Sequence, residues 1–583
     1  MPRDAATFDN EGVAAVLDEI GDLLELKGEN VFRAVTYRAV ARAIRDLREP
    51  VSLLLEQGRL AEIPKTGPSV TEAITQLITT GESKRHTDLL AAVPQGLITL
   101  LSVPGVGPAT ARIIYENLKI TSVDELEEAA KAHRLRELPK IQAKTEENIL
   151  KSIASLKQRT GRSLIHHARD AANEMIVTLR EAGVQEISVA GSVRRYRETI
   201  GDIDLLVPSN DAAPIMKAFT GAPSVERVLA QGETKSSVIV ARGLQIDLRV
   251  VPPDSWGAAM LYFTGSKEHN VRLRGLALKK KLLLNEYGLY KVGAEARGQE
   301  IASKTEEEVY GALGMDWIAP EIREDHGEIE SALAHALPAL ATVGDIQGDL
   351  HTHTNQTDGR DTLAEMARRA KEKGYAYMAV TDHSPGLGMT NGLSADRIAT
   401  RLAEVQKLNA ELAPFRILIG TEVDIRANGT LDYPDDILKG FDIVSASVHS
   451  AFGQAREVMT KRIIDAMRNP YVTAFSHPTG RLLERRDPYA VDLADVIAAA
   501  KETGTWLEVN GGPERLDLPD VWVRKAIEGG ALLVTNSDAH ATEELDWMEY
   551  AVANARRGWA TKSAIANTLP VDAMLAARKP RPS

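Results

Sequence analysis

Three aspartates and six histidines hold most of the chemistry available to this chain. In Gly201-Asp202-Ile203-Asp204-Leu205-Leu206-Val207 the two acids stand two residues apart in a β-branched, apolar run. On a strand both carboxylates then point to one face while Ile203 and Leu205 point to the core. Two like charges at that distance repel unless a cation lies between them. A second run, Gln245-Ile246-Asp247-Leu248-Arg249, can add Asp247 to the pair. Three carboxylates on adjacent strands suit two hard divalent cations, Mg²⁺ or Mn²⁺, which activate an attacking hydroxyl and stabilise a leaving pyrophosphate.

All six histidines beyond residue 340 close short strand-like runs: His351 and His353 together, then His383, His449, His477 and His540. Asp358, Glu422 and Asp538 are interleaved with them. Mixed imidazole and carboxylate donors suit Zn²⁺, Mn²⁺ or Fe²⁺ rather than Ca²⁺, and strand C-termini are where barrels build their sites. The chain has no cysteine, so thiolate sites and disulfide frameworks are excluded and any metal is held by His, Asp and Glu.

The elements that must position these groups change along the chain. Residues 12–160 read as helical, with apolar residues at three and four spacing and short Pro/Gly breaks. Two breaks share a pattern, Ile63-Pro64-Lys65-Thr66-Gly67-Pro68 and Val103-Pro104-Gly105-Val106-Gly107-Pro108, each opening an apolar helix. Gly67, Gly105 and Gly107 would let a phosphate approach backbone N–H groups at these turns. A third break, Leu138-Pro139-Lys140-Ile141-Gln142-Ala143, has lost the glycines and reads as mainly structural. Strands are expected over EISVAG, DIDLLV, SSVIVA and LQIDLRVV. From about 346, short strands alternate with amphipathic helices, the rhythm of βα units and of a barrel.

The 583 residues suggest several domains, and the net charge of −12 is unevenly spread: −5 over 1–150, +6 over 151–300 and −13 over 301–583. The basic segment carries Arg194, Arg195 and Arg197 and a run from Lys267 through Lys281. An acidic total therefore does not exclude a polyanionic partner, and binding through the middle region should be salt-sensitive. No apolar run reaches the roughly 18 residues that span a bilayer, and the first residues lack a leader's features, so a cytoplasmic protein is expected.

The second hairpin resembles the helix-hairpin-helix motif, which binds nucleic acid backbones without reading sequence. Gly191-Ser192-Val193-Arg194-Arg195 followed by Gly201-Asp202-Ile203-Asp204 and then Asp247 resembles the nucleotidyltransferase superfamily. Tyr262-Phe263-Thr264-Gly265-Ser266-Lys267-Glu268-His269-Asn270 with Arg274 narrows the resemblance to the family X DNA polymerases, of which DNA polymerase beta is the familiar member. That resemblance implies metal binding and catalysis at Asp202, Asp204 and Asp247. It implies triphosphate contacts from Ser192 and Arg195 beside the Gly191 and Gly201 turns. It also implies a sugar pocket at Tyr262, Phe263 and Gly265, and contacts of Asn270 and Arg274 with the nascent pair and template. Arg33 and Tyr37 would hold a 5′-phosphate in a gap, with Ser69 where the family can place a basic residue. The family's lyase nucleophile is replaced by Ala73, so gap binding without Schiff-base chemistry is expected.

The histidine-rich region resembles the PHP family, whose distorted (β/α)₇ barrel holds three divalent metals. The resemblance implies His351, His353, Glu422 and Asp538 on one ion, Glu422, His449 and His477 on a second, and Asp358, His383 and His540 on a third. The whole order resembles the bacterial family X DNA polymerases. The expected domains are a helical DNA-binding domain over 1–90, a hairpin domain over 91–160 and an α+β palm over 161–255. A thumb-like domain over 256–325, a connector over 326–345 and the barrel over 346–575 follow. The implied function is gap-filling DNA synthesis in base excision repair on gapped or primer-template DNA with dNTPs. The barrel would trim 3′ ends and could act on abasic sites or 3′-phosphates. A monomer at the nucleoid is expected. Two rivals are a phosphatase of small phosphomonoesters and a DNA-binding scaffold with inactive centres.

Overall fold

Val13, Leu17, Ile20 and Leu24 recur at three and four spacing, so the helix Asn10–Leu26 buries one stripe against Ala34, Ala41 and Ile44 of the helix Val31–Arg45. The computed structural model describes residues 10–582 except 30, 46, 48–49, 102, 104, 160–161, 293–297, 387–389 and 484. Pro104 of the second hairpin and the first nine residues, both used in the sequence reading, lie outside the described residues. The chain divides into two compact units. One holds the residues up to Arg162, Glu174–Ser188 and Asp204–Gly314; the other holds Ser163–Asn173, Val189–Ile203 and the chain from Met315 onward. Among the described residues no helix is long and apolar enough to cross a membrane.

In the first unit, Gly67 caps the helix Pro68–Thr80 and Gly107 caps Pro108–Leu118, with proline at the first helical turn in each. Gly105 takes φ 90, the left-handed turn that glycine adopts without cost. The third hairpin keeps the same turn without glycines: Lys140 takes φ 66, as Lys65 does in the first, and Ile141 N donates to Leu138 O at 3.2 Å. The buried Glu146 pins this third turn, accepting from Leu135 N and Arg136 N at 3.0 Å and from Arg136 Nε at 2.7 Å.

Asp202–Pro208 neighbours Gln245–Val251 in a five-stranded sheet. Gln245–Val251 pairs antiparallel with Lys235–Ile239, which pairs antiparallel with Arg227–Gln231. The helices Trp256–Thr264 and Lys267–Lys279 and the strands Leu282–Asn285, Gly288–Lys291 and Glu300–Ala302 follow. Lys280 Nζ donates to Leu313 O at 2.7 Å, so one member of the basic run ties this region together.

The second unit is built on seven parallel strands in chain order: Gly348–Asp349, Tyr377–Val380, Arg416–Asp424, Ile443–Ser447, Ala474–Phe475, Trp506–Asn510 and Leu533–Asn536. Just past the first and last strands, Thr352 bridges Ala539 and His353 N donates to Ala539 O at 2.8 Å, nearly closing a barrel. Alternation splits each strand between two cores. Tyr377, Ala379, Leu418, Ile443, Ala474, Trp506 and Val534 fill one, whereas Met378, Val380, Ile417, Val444, Leu507 and Leu533 pack with the surrounding helices. The distorted (β/α)₇ barrel that the family resemblance implies is therefore present.

Candidate metal centres and catalytic sites

The inward phase of the barrel strands continues past their apolar ends. Counting in steps of two from Ala379, Leu418, Ile443, Trp506 and Val534 reaches His383, Glu422, His449, Glu508 and Asp538. These, with His351, His353, Asp358, His477 and His540, form one cluster. Glu422 is its hub: Oε1 lies 2.9 Å from His477 Nε2 and 3.3 Å from His449 Nε2. Its Oε2 lies 3.1 Å from His383 Nδ1, 3.5 Å from His351 Nε2 and 3.6 Å from His353 Nε2. Asp538 Oδ1 is 3.3 Å from His353 Nε2 and 3.5 Å from His351 Nε2. Asp358 is 3.1 Å from His383 and 3.6 Å from His540.

All nine expected ligands are thus brought together, and their grouping shows how closely the centres share donors. Donor atoms within 4.8 Å of one another form three sets: His353, Asp358, His383 and His540; His351, His353 and Asp538; and His383, Glu422 and His449. His353 and His383 each serve two sets, and His477 joins none of them but lies against Glu422. Two ligands sit on strained backbone, His477 at φ 31 and Asp538 at φ 58, a conformation that costs energy and collects at functional sites.

The donor chemistry fits divalent ions. His351 Nε2 and both nitrogens of His353 are fully buried and lack a hydrogen-bond partner among the described residues, which would be costly unless a cation takes their lone pairs. Burial would raise the Glu422 carboxyl, but His383, His449 and His351 hold it well below the usual range. Burial together with His540 and His383 pushes His353 down to about 4, keeping it a neutral ligand. His449, although buried, is pushed up to about 9 by Glu422 and Asp424. Without ions this site holds protons that metal binding would displace.

Two acids that the histidine pattern does not single out complete the cluster. Glu508 is fully buried; Oε1 accepts from His351 Nδ1 at 2.7 Å and Asn536 Nδ2 at 2.8 Å. Its Oε2 accepts from His477 N at 2.7 Å and Asn510 Nδ2 at 3.1 Å. This bond fixes His351 with Nδ1 protonated and Nε2 free for a metal. Asp424 accepts from His449 N at 3.2 Å and lies 3.5 Å from its Nδ1.

The aspartate site is arranged differently. Asp202 and Asp204 occupy one strand two residues apart, and Asp247 lies on the neighbouring strand. Asp247 is buried, which alone would raise its pKa, but Gln245 at 2.7 Å, Ser237 and Lys235 at 3.1 Å bring it below the usual range. Gly201 immediately precedes this strand, and Gly191 opens the short helix Gly191–Arg194 with Ser192 beside it. Arg195 Nε pairs with Glu324 at 3.1 Å. Gly265 takes φ 71 after the helix carrying Tyr262 and Phe263, and Asn270 Nδ2 donates to Tyr262 O at 2.7 Å. Arg274 lies over the Tyr262 ring at 5.9 Å.

In the helical region Arg33 is exposed and 4.0 Å from Glu29, whereas Tyr37 is buried with its hydroxyl donating to Ser69 O at 3.4 Å. Ala73 is part of the apolar core, so the position lacking a nucleophile is filled by packing. At Gly67 and Gly107 the backbone is extended and a Cβ would meet nothing within 4 Å. Neither strain nor crowding inside the protein demands glycine there, and its smallness acts outward, leaving a helix N-terminus open.

Four family models match in this order: a helix-hairpin-helix domain at 8–83, a SAM-like helix-hairpin-helix tandem at 97–155, the DNA polymerase beta thumb at 259–324 and the PHP domain at 349–510. The DNA polymerase/3′-5′ exonuclease PolX of Bacillus subtilis (strain 168) is 36% identical over 558 residues, 95% of this chain and 96% of that one. This chain belongs to the PolX family. Narrower relatives divide along its length. A probable phosphatase of Thermoanaerobacter sp. (strain X514) is 32% identical over 38% of this chain and 89% of its own. DNA polymerase lambda of Rattus norvegicus is 23% identical over 55% of this chain and 57% of its own. Among PolX proteins, then, this chain carries a hairpin region, a polymerase-type sheet and thumb, and a barrel whose strand ends gather a His/Asp/Glu cluster.

Proposed function

We propose that this protein fills short gaps in DNA at Asp202, Asp204 and Asp247 and shortens 3′ ends at the barrel cluster. The observation that carries the reading is the convergence of five barrel histidines on Glu422, with Asp358, Asp538 and His540 joined to the same cluster, in a chain matched over nearly its whole length by a relative named for both activities. In gap filling, Asp202, Asp204 and Asp247 hold the cations, Asp247 takes the proton of the primer 3′-hydroxyl, and Ser192 and Arg195 orient the triphosphate. Tyr262, Phe263 and Gly265 line the sugar pocket, while Asn270 and Arg274 contact the nascent pair. In the barrel, the imidazoles and carboxylates hold the ions and Glu508 keeps His351 in its coordinating tautomer. When bound, such ions lower the pKa of a water and neutralise charge on a phosphoryl group. The barrel donors would take Mn²⁺, Zn²⁺ or Fe²⁺, and the aspartates Mg²⁺ or Mn²⁺.

Open helix N-termini at Gly67 and Gly107 grip backbone phosphates without reading sequence, and Arg33 reaches a 5′-phosphate. With Ala73 in the core, no lysine is available there for Schiff-base lyase chemistry. The setting is base excision repair in the bacterial cytoplasm. The experiment is a 5′-labelled primer in a one-nucleotide gap, with dNTPs and Mg²⁺ or Mn²⁺. Asp202→Ala with Asp204→Ala should abolish extension and keep shortening; His351→Ala with His353→Ala should do the reverse. Loss of both activities in both folded variants overturns the two-site assignment.

A further inference from the structure

The acid Asp538 faces two ways. Its Oδ1 looks toward His351 and His353, while Oδ2 accepts from Asn510 Nδ2 at 3.0 Å and lies 3.2 Å from Arg515 Nε. The Asp538 side chain is 7% exposed and that of Arg515 is 24% exposed, so a partly exposed guanidinium sits directly beside a buried carboxylate of the cluster.

The backbone that carries Arg515 is firmly held. Arg515 N donates to Gly512 O at 2.7 Å, and Arg515 O accepts from Arg481 Nε at 2.9 Å. Leu516 O accepts from Arg481 and from Asn554, and the Asp517 carboxylate accepts from Thr479 N and Oγ1 at 2.9 Å. The side chain is not held in the same way. Among the described residues its guanidinium pairs with Asp538 and makes no hydrogen bond. Two other arginines of this unit are hydrogen-bonded by their guanidinium groups: Arg401 to Thr354, Asp382 and Glu404, and Arg481 to Arg515 O, Leu516 O and Glu198.

A cation beside a carboxylate that binds divalent ions opposes metal loading, and Asn510 already satisfies Oδ2. The placement becomes favourable when an anion enters between the metals and the guanidinium. Arginine's planar fork matches two phosphate oxygens, and a partly exposed, unsaturated guanidinium on a fixed loop is organised for that contact.

We propose that Arg515 binds the non-bridging phosphate oxygens of the DNA 3′-terminal linkage at the barrel site, and those of the nucleotide 5′-phosphate after release. The inference rests on the barrel reading above and adds a substrate-contacting residue to it. The test uses the full chain loaded with Mn²⁺ and compares wild type, Arg515→Ala and Arg515→Lys. Arg515→Ala should lower kcat/KM for 3′-end shortening about 100-fold, the scale of losing one aligned donor to a reacting oxyanion. Arg515→Lys should recover only part of the loss, and added guanidinium should raise the activity of Arg515→Ala but not of wild type. Metal content per chain should be undiminished, and binding of inorganic phosphate or dAMP to the Mn²⁺-loaded protein should weaken at least tenfold. Shortening within threefold of wild type, or loss of bound metal in Arg515→Ala, overturns the proposal. If wild type shortens no DNA, the barrel reading fails by itself. The phosphate measurement then still decides whether Arg515 is an anion-binding residue.

Discussion

Glu508→Gln removes one charge and one acceptor while keeping shape, and the geometry sets out what must follow. Four donors converge on the two carboxylate oxygens: His351 Nδ1 and Asn536 Nδ2 on Oε1, His477 N and Asn510 Nδ2 on Oε2. A glutamine amide offers one oxygen. If that oxygen stays toward His351, the amide NH₂ faces the His477 N–H and the Asn510 NH₂, donor against donor, in a fully buried position. If the amide flips, its NH₂ donates to His351 Nδ1, and the proton moves to Nε2, the nitrogen aimed at Glu422 and Asp538. The first arrangement costs about 1.5–3 kcal/mol per charged hydrogen bond lost, and the second blocks a metal ligand. Losing an outer partner of a ligating histidine lowers metal affinity roughly 10–100-fold. The expected result is a 10–100-fold rise in the Mn²⁺ concentration for half-maximal 3′-end shortening, full activity at saturating Mn²⁺, and unchanged gap extension. Direct Mn²⁺ titration by calorimetry should show one weakened class of sites. A folded Glu508→Gln protein with wild-type Mn²⁺ dependence would refute the positioning role.

Two further perturbations separate stability from function. Gly67→Ala and Gly107→Ala enter open space on extended backbone, so thermal stability should hold or rise by about 0.4–1 kcal/mol, while affinity for gapped DNA, measured by fluorescence anisotropy, should fall several-fold. Unchanged affinity would remove these turns from the DNA contact. Burial pushes Asp517 up to about 6, above its unfolded value, so its stabilising contribution is present at low pH and is lost as pH rises through 6. At pH 8 the ionised group costs up to about 3 kcal/mol, and Asp517→Asn, which keeps an acceptor for Thr479, should raise the melting temperature more at pH 8 than at pH 5. An equal shift at both pH values would show that the charge is not the cause.

Much of the site was legible because a parallel barrel obeys simple periodicity. Histidines at strand ends mark the cluster, and Gly-Asp-x-Asp marks the aspartate strand. The acids missed were legible by a stricter use of the same rule. Glu508 lies two residues beyond Trp506, and Asp424 two beyond Glu422, each on the inward phase of its strand. A charged residue inside a strand buried throughout needs a partner, and that need alone singles out Glu508. In the hairpins the third turn, without glycines, reads as mainly structural; there Lys140 takes the left-handed conformation and Glu146 pins the turn.

Where periodicity stops being informative, tertiary closure has replaced it. Leu350 belongs to the inner core, so strict alternation would place Thr352 inward and turn His351 and His353 away. Both histidines nevertheless enter the cluster, since the first strand ends at Asp349 and Thr352 bridges Ala539 across the closing seam. His477 breaks phase in the same way. Ala474 is inward and Ser476 continues its phase, and the φ of 31 at His477 brings the next residue round to Glu422. Glu508 accepts from both of these out-of-phase ligands, from the ring of His351 and the backbone N–H of His477. One buried carboxylate therefore holds the two ligands that strand geometry would not deliver. It follows that Glu508→Gln should disturb His351 and His477 together while leaving the ring contacts of the in-phase His383 and His449 with Glu422 intact. Histidine NMR of the metal-free protein, with ring signals of His351 and His477 shifting and those of His383 and His449 unmoved, is the pattern expected. Uniform shifts in all four would show that the cluster responds as one body.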